Sequence, residues 1–503
     1  MKAQSAGSGS RAMRVAAAAM FAAGVGLVAG CGNSYRPVVA TIGAVGPAGQ
    51  PTKYAMVVST PTQTPVGGPI VDAGAWSAAT TYSINQGVSF QGAQYVSLTN
   101  GNVNQNPASA TAFWSRLTNG LLTMVDFSGD TVLVTATLGV NPYYFVLSGP
   151  GTTGYTLNSD KTMNSFDVST SLISSQVLES TLPVGSNPVS IFPMTQATYV
   201  SDPGVNAIDQ LNSTPPALQQ QLPVPTGFSP IYVVGNSTAP RIYAINQSTS
   251  GGLGQVAAIE TGGNTISNTI PVGRGPVYGV MTVDNRRVFI LNQTDGTVSV
   301  INEQTNALDT PLNTIPVGPR PVWADLASGL DELVVVNEGN GTTTPGSVTL
   351  VNIPLCSATA LPTNPNCNPT NPIDATTFGQ VVATIPVGIN PIMVTVLGDY
   401  SRAYVANAGD PTLPCAANGI AVAGVSTTCT VSVINLQNEA VTATIPINGH
   451  PVYIASSDST PTGKVYVVCK DSQLMSVIET DTDSLYTTIP LQGYGVSVRT
   501  TQR

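Results

Sequence analysis

The chain contains few residues with chemistry of their own: six cysteines and a single histidine. Four of the cysteines form two pairs that are close in sequence, Cys356 with Cys367 and Cys415 with Cys429, and each pair brackets a segment rich in small or polar residues. In an exported protein, such pairs are most simply disulfides that hold loops in place. A metal site would need four soft ligands, whereas each pair offers two. The cysteines therefore predict two disulfides, with no metal ion and no other cofactor.

His450 and Cys469 are the remaining candidates for chemistry in the body of the chain. His450 precedes a proline, as Gly275 and Arg320 do in similar segments, so we interpret it as a turn residue and not as a general base. Cys469 lies in an apolar, strand-like run without a cysteine left to pair with, which predicts a buried free thiol. The acidic residues are scattered over turns, and the sequence has neither an Asp-x-Asp-x-Asp calcium loop nor a Cys-x-x-Cys-His haem motif. No catalytic residue is predicted.

The N-terminus has the pattern of an export signal. Three basic residues precede the apolar run Val15–Ala29, and small residues end it. This order is typical of a secretory signal peptide, which we place at residues 1–30. The run is shorter than the roughly 20 residues that a membrane-spanning helix requires.

The end of this run, Val28-Ala29-Gly30-Cys31, resembles the lipobox of bacterial lipoproteins. The resemblance implies that Cys31 becomes the first residue of the mature protein and carries the lipid chains. Such chains attach a protein to a membrane without a spanning helix. Gly32 stands where an aspartate would signal retention at the inner membrane, which favours the outer membrane or the cell surface. An ordinary signal peptide followed by a chance cysteine is the alternative.

A short phrase, Thr-Ile-Pro-Val-Gly, recurs along the chain. Identical or related copies lie at Thr181–Gly185, Thr269–Gly273, Thr314–Gly318, Thr384–Gly388, Thr444–Pro446 and Thr488–Pro490. With Pro223, their central prolines are 40, 48, 45, 70, 60 and 44 residues apart, and the two longest gaps contain the cysteine pairs. A basic spacing of about 40 to 50 residues in a strand-rich chain is typical of a β-propeller with one repeat per blade. A proline removes one donor from a strand's hydrogen-bond ladder, so each phrase is predicted to be the outermost strand of its blade. The glycine that follows is predicted to allow a sharp exit through its freedom in φ.

The segments Arg402–Asn407 (Arg-Ala-Tyr-Val-Ala-Asn) and Thr430–Asn435 (Thr-Val-Ser-Val-Ile-Asn) resemble the YVTN family of β-propeller repeats. The resemblance implies an all-β protein built from four-stranded blades. Counting outermost strands predicts eight blades, and seven, the number that the resemblance implies, is the alternative. Either Arg36–Ala40 or Gly495–Val498 is predicted to be the first strand of the blade that closes the ring.

Residues 61–119 interrupt the first blade, between its predicted second strand (Lys53–Ser59) and third strand (Leu121–Phe127). Their spaced aromatic residues and a Gly-x-x-Tyr strand resemble the small carbohydrate-binding module of chitinases. The resemblance implies a small β domain with four candidate sugar-binding residues, since sugar sites use aromatic faces. These residues are Trp76, Tyr82, Tyr95 and Trp114. Polar residues stand where chitinase modules carry exposed aromatic rings, so a second interpretation, that the four form the core of the small domain, stays open.

Charged residues make up only 9% of the chain, against roughly 25% in an average soluble protein, and the net charge is −9. Nucleic acid is excluded as a partner, because it would be repelled and needs clustered Lys and Arg. The predicted organisation is a signal peptide (1–30), the start of the propeller (31–60), the inserted domain (61–119) and the rest of the propeller (120–503). We expect a lipid-anchored, non-enzymatic protein of the cell envelope that binds a polysaccharide or an envelope protein. The alternatives are a propeller lyase or hydrolase with a site on the channel face, and a structural or adhesive surface protein.

Overall fold

The computed structural model describes residues 53–62, 70–168, 177–212, 215–341, 343–354, 377–416, 419–457 and 463–501. Within these ranges the regular structure consists of β-strands, so the prediction of an all-β protein is confirmed. None of the described segments is a helix with the length and hydrophobicity of a membrane span. The predicted signal peptide, Cys31, Arg36–Ala40, and the pair Cys356 and Cys367 lie outside the described residues.

The described residues form 39 strands. The first are β1 (Tyr54–Thr60), β2 (Val71–Ala75), β3 (Thr81–Tyr82), β4 (Gln86–Phe90), β5 (Ala93–Ser97), β6 (Asn102–Val103), β7 (Trp114–Arg116), β8 (Asn119–Asp126) and β9 (Val132–Val140). Next come β10 (Pro142–Leu147), β11 (Thr153–Asn158), β12 (Thr162–Asp167), β13 (Leu178–Thr181), β14 (Ser190–Pro193), β15 (Thr198–Asp202), β16 (Ala207–Asn212), β17 (Ala217–Pro223), β18 (Phe228–Val234), β19 (Arg241–Ser248), β20 (Leu253–Glu260) and β21 (Thr265–Arg274). The third group is β22 (Pro276–Met281), β23 (Arg287–Asn292), β24 (Thr297–Asn302), β25 (Ala307–Leu308), β26 (Thr314–Pro316), β27 (Pro321–Ala327), β28 (Glu332–Asn337), β29 (Pro345–Asn352) and β30 (Val381–Ile389). The last are β31 (Pro391–Val396), β32 (Arg402–Asn407), β33 (Thr430–Asn435), β34 (Ala440–Pro446), β35 (Pro451–Ser456), β36 (Lys464–Cys469), β37 (Leu474–Glu479), β38 (Ser484–Pro490) and β39 (Tyr494–Thr500).

Seven sheets are built from consecutive antiparallel strands: β10–β13, β14–β17, β18–β21, β22–β26, β27–β30, β31–β34 and β35–β38. An eighth sheet has the order β39-β1-β8-β9, so the last strand of the chain pairs with the first described strand. The first strand of each sheet contacts the first strand of the next, and β39 contacts both β35 and β10. The inner strands therefore form a closed circuit, in which the predicted closing segment Gly495–Val498 takes part.

The strands that carry the repeated phrase lie at the outer edge of their sheets, as predicted. Pro271 in β21, Pro316 in β26 and Pro386 in β30 each lie in a strand that pairs on one side only. An outermost strand tolerates proline because the missing N–H would have pointed away from the sheet. The buried apolar residues are instead concentrated in the two central strands of each sheet, such as β23 and β28, which are buried along their whole length.

The phrase glycine Gly185 uses the predicted freedom in φ (91°), whereas Gly273, Gly318 and Gly388 have a different role. The positive φ falls two residues later, at Gly275 (60°), Arg320 (57°) and Asn390 (51°). The phrase glycines are required by a close approach: a Cβ on Gly273, Gly318 or Gly388 would lie 2.6 Å from the amide carbon of a buried asparagine in the next sheet. These asparagines are Asn292, Asn337 and Asn407.

All three asparagines pack against the glycine of the preceding sheet, and Asn407 also bonds to it. The Asn407 side chain is fully buried at the end of β32, and its amide nitrogen donates to the Thr430 and Ser432 hydroxyls of β33, both at 3.0 Å. Its oxygen accepts the backbone N–H of Gly388 from the preceding sheet at 3.1 Å. The amide is therefore satisfied only while the glycine of the neighbouring sheet stays in contact with it.

The inserted residues form a small domain of their own within the eighth sheet's connection from β1 to β8. Strands β2, β4, β5 and β7 form one sheet, in which β2 runs parallel to β4, and β3 pairs with β6. An apolar cluster of Ile70, Val96 and Leu117 packs with Val140 of β9, which joins the small domain to the propeller.

Replacing Gly388 by alanine is expected to lower the free energy of unfolding by about 1 to 3 kcal/mol, because the new methyl group would overlap Asn407. Gly262→Ala is the matched control, since a Cβ there meets nothing within 4 Å; we expect a change of about 0.5 kcal/mol or less. Urea unfolding followed by circular dichroism measures both. Equal effects of the two substitutions would show that the contact does not hold the sheets together.

Candidate binding site in the central channel

Most of the inner strands place one large side chain at the same level of the channel that they enclose. In six of these strands the residue two positions after an early proline is aromatic or methionine: Tyr144, Tyr232, Tyr278, Trp323, Met393 and Tyr453. The strand register shifts between the proline and this residue in every case. A proline has no N–H to pair, so the ladder is interrupted at that point and a bulge forms. The bulges repeat, and the six side chains line the cavities of the channel.

The aromatic rings contact one another around the channel. Tyr278 stacks on Trp323 with ring centroids 4.0 Å apart, and Tyr232 lies 4.9 Å from Tyr278 on the other side. Trp323 also meets Tyr453 edge-on at 6.2 Å, although β31 lies between their strands in the circuit. The rings thus form a continuous, partly accessible aromatic wall.

Arg499 lies against this wall. It belongs to β39, and its guanidinium carbon is 4.4 Å from the centre of the Tyr453 ring, a cation–π distance. Its Nε donates a long hydrogen bond, 3.4 Å, to the carbonyl of Phe145. Within the described part of the chain, no carboxylate lies within 4.0 Å of this guanidinium.

Burial sets the protonation states in the channel. It raises the pKa of Tyr453 to about 12 and also raises the pKa values of Tyr144, Tyr232 and Tyr278. These phenols are therefore neutral hydrogen-bonding groups near neutral pH. Burial by itself would lower the pKa of Arg499, but the neighbouring phenols outweigh it and the guanidinium keeps its charge.

Three cavities share Arg499, with volumes of about 280, 390 and 460 Å³. The smallest cavity is also lined by Asp325, whose two carboxylate oxygens accept the backbone N–H groups of Leu326 and Val396 at 2.9 Å. The 390 Å³ cavity is also lined by His450 and Lys470. Arg499 is therefore the point at which the accessible spaces of the channel meet.

His450 lies in the turn before β35, as predicted, and it also lines the 390 Å³ cavity. Its Nδ1 is 2.6 Å from a carboxylate oxygen of Asp471, and its Nε2 is 3.2 Å from the carbonyl oxygen of Asp410. Both ring nitrogens face acceptors, so the protonated form is favoured. The hydrogen bond to Asp471 raises the pKa of His450, against the opposing effects of burial and of Lys470.

The predicted disulfide between Cys415 and Cys429 is present, with Cα atoms 5.5 Å apart. Their sulfurs and a ring nitrogen of His450 lie within 4.8 Å of one another, so this trio would be a set of metal ligands only with both thiols reduced. Cys469 is a buried free thiol, as predicted. It occupies the place in β36 that Asn407 occupies in β32, which explains its burial beside a glycine, Gly449.

The aromatic residues of the inserted domain are mostly core residues. Tyr82, Tyr95 and Trp114 are 1%, 8% and 2% exposed and pack in one cluster. A buried ring cannot offer its face to a sugar, so these contacts agree with the second interpretation that the sequence left open. Trp76 is partly accessible and meets Phe90 edge-on at 5.2 Å. Sugar binding by the inserted domain stays a prediction, and it depends on Trp76.

The aromatic wall and Arg499 are the functional candidates that sequence reasoning missed. A signal for the wall was present, because an aromatic residue follows Pro276, Pro321 and Pro451 at the same distance of two positions. No comparable signal marks Arg499, because its inner strand, β39, lacks that proline.

Comparison with known proteins establishes the fold. No protein-family model matches the chain, and no curated protein sequence matches it. The solved structure of dihydro-heme d1 dehydrogenase NirN in complex with DHE is 11% identical, with 75% of this chain and 72% of that chain covered and a TM-score of 0.54. AztD from Citrobacter koseri (11% identity, 76% and 94% covered, TM-score 0.49) and a putative 6-phosphogluconolactonase from Bacteroides fragilis (11%, 90% and 99%, 0.47) also match. The chain thus has a β-propeller fold, whereas the number of blades, eight or seven, stays a prediction.

The raised pKa of His450 predicts a pH-dependent contribution to stability. A pKa raised in the folded state stabilises the protein fully below the unfolded-state value of about 6.5 and progressively less as the pH rises through the folded-state value. We expect His450→Gln to cost about 2 kcal/mol at pH 5.5 and clearly less at pH 9. Urea unfolding of both proteins at the two pH values measures this. A difference that grows with pH would contradict the assignment.

Proposed function

We propose that this protein is a lipid-anchored, non-enzymatic propeller of the cell envelope that binds units of a polysaccharide in its central channel. The observation that supports the proposal most directly is the aromatic wall around Arg499, shared by three cavities. The C–H faces of sugar rings pack on aromatic rings, while nearby polar groups bind the hydroxyls.

The channel offers such polar groups beside the rings. Neutral phenols, the Arg499 guanidinium and the hydroxyls of Thr395 and Ser456 line the same spaces. The oxygen of Tyr453 is buried without a hydrogen-bond partner among the described residues, so a bound hydroxyl would satisfy it. The cavities of 390 and 460 Å³ are in the size range of small-ligand sites.

The ionisable groups of the channel support binding over catalysis. Both oxygens of Asp325 already accept backbone N–H groups, and both ring nitrogens of His450 face acceptors. The phenols are neutral, with pKa values raised by burial, so they donate hydrogen bonds but make poor general bases near pH 7. These groups are suited to hold a ligand, which is why we prefer a binding protein to a lyase or hydrolase.

The proposal that the protein is exported and anchored is based on the N-terminal sequence pattern that ends at Cys31. The disulfide between Cys415 and Cys429 is consistent with this, since disulfides persist in oxidising compartments outside the cytoplasm.

The binding proposal is tested with a panel of soluble sugars: glucose, galactose, N-acetylglucosamine, glucuronate and galacturonate. We expect saturable binding of at least one of them in titration calorimetry, weakened at least tenfold by Trp323→Ala, which removes the centre of the aromatic wall. Trp76→Ala is the matched control. Loss of binding in Trp76→Ala alone would move the site to the inserted domain, and failure of every sugar to bind would overturn the proposal.

The anchoring proposal is tested by growing cells that express the protein with radioactive palmitate. The full chain is expected to carry label and to sediment with membranes, and Cys31→Ala is expected to lose both properties because the acylated sulfur is gone. Cys469→Ala, which removes a buried thiol, is the control and should stay labelled. An unlabelled wild-type protein would contradict lipid attachment.

A further inference from the structure

We infer that the ligand of the central channel carries a carboxylate, which Arg499 binds while the ring-shaped body of the ligand lies against the aromatic wall. This inference rests on the proposed function and names the class of ligand for the same site. Three observations support it: the positive charge of the 390 Å³ cavity, the two terminal nitrogens of the Arg499 guanidinium, and the flat surface of the aromatic wall.

The 390 Å³ cavity is basic in a protein with a net charge of −9. Its lining includes His450, Lys470 and Arg499, and none of its lining residues, all within the described ranges, is an aspartate or glutamate. The charge of His450 is balanced by Asp471 at 2.6 Å. Lys470 and Arg499 therefore leave this space positive, which attracts a negatively charged ligand and repels a cation.

Arg499 has the geometry to bind a carboxylate in particular. The hydrogen bond to Phe145 uses its Nε, and no hydrogen bond from its two terminal nitrogens to a described protein acceptor is present. Those two nitrogens form a planar fork that matches the two oxygens of a carboxylate. The Tyr453 ring under the guanidinium holds its plane, so less freedom is lost when a ligand binds.

The size of the charge favours a carboxylate over a phosphate monoester. The Arg499 guanidinium alone neutralises a carboxylate, whereas a phosphate monoester carries about −1.5 to −2 at pH 7 and would need Lys470 as a second cation in contact with it. The rings of Tyr278, Trp323 and Tyr453 then leave a flat surface for the rest of the ligand. Both a sugar acid and an aromatic acid have this shared chemistry, a carboxylate on a ring.

The test compares ligands that differ only in the carboxylate, using titration calorimetry on the full-length protein: galacturonate against galactose, and benzoate against benzyl alcohol. We expect the acid of at least one pair to bind at least tenfold more tightly than its neutral counterpart. The pair in which the acid binds more tightly shows whether the ligand is a sugar acid or an aromatic acid. Galactose 6-phosphate is included, and tighter binding of this phosphate than of galacturonate would overturn the choice of a carboxylate.

Arg499→Gln is expected to weaken binding of the acid at least tenfold more than binding of its neutral counterpart, which removes the preference for the acid. Arg116→Gln makes the same change of charge on the exposed surface of the inserted domain and should keep the wild-type preference. Arg499→Lys keeps the charge but not the fork, so it should lie between wild type and Arg499→Gln. Thermal unfolding verifies that each variant is folded.

The outcomes separate this inference from the proposed function. If neutral sugars bind in a manner that depends on Trp323 and the acids have no advantage, the inference fails and the proposed function stands. If no ligand of either kind binds, both fail. Should Arg499→Gln not fold, the wild-type comparison of acid with neutral ligand and the Arg499→Lys variant still decide the question.

Discussion

The contact between a glycine at the end of one sheet and a buried asparagine of the next is the constraint on which the rest of this structure depends. At Gly273, Gly318 and Gly388 the space that a Cβ would take is filled by an asparagine side chain. That side chain is hydrogen-bonded within its own sheet, as Asn407 is to Thr430 and Ser432. An amide that is fully buried cannot leave its partners without a penalty, so the distance between neighbouring sheets is set at this point. Where Cys469 takes the place of the asparagine, the close approach is to Gly449.

This fixed spacing determines what happens in the channel. Before β10, β22, β27 and β31 a residue with positive φ directly precedes the proline that opens the inner strand, and before β35 the positive φ is at Gly449, two residues before Pro451. Because the entry is the same in successive sheets, the residue two positions further on reaches the channel at the same level. Because this position recurs in neighbouring sheets, the aromatic rings there contact one another and form the wall. The closing strand β39 enters differently, and it contributes the charged residue, Arg499, in place of another ring.

Much of the framework could be predicted from local patterns. The proline phrases marked the outer strands correctly, since a missing donor is a local property that any strand context must accommodate. The predicted role of the phrase glycine was confirmed at Gly185 but was wrong at Gly388, because the atom that excludes a side chain there belongs to Asn407, nineteen residues away in a different sheet. His450 was correctly placed in a turn, but its contacts with Asp471 and Asp410 depend on neighbouring loops that no local pattern specifies.

The sequence by itself determined the strands, their edges and the repeat, because alternation, turn residues and proline act over a few neighbouring positions. Only the tertiary structure decided which residues share the channel. Arg499 meets Phe145 across 354 residues of chain, and that meeting exists because the last strand pairs with β1 and closes the circuit of inner strands. The burial of Tyr82, Tyr95 and Trp114 was likewise decided by packing, since an aromatic residue in a short strand can face either the core or the solvent. Periodicity places residues along a strand, and closure of the ring places them against one another.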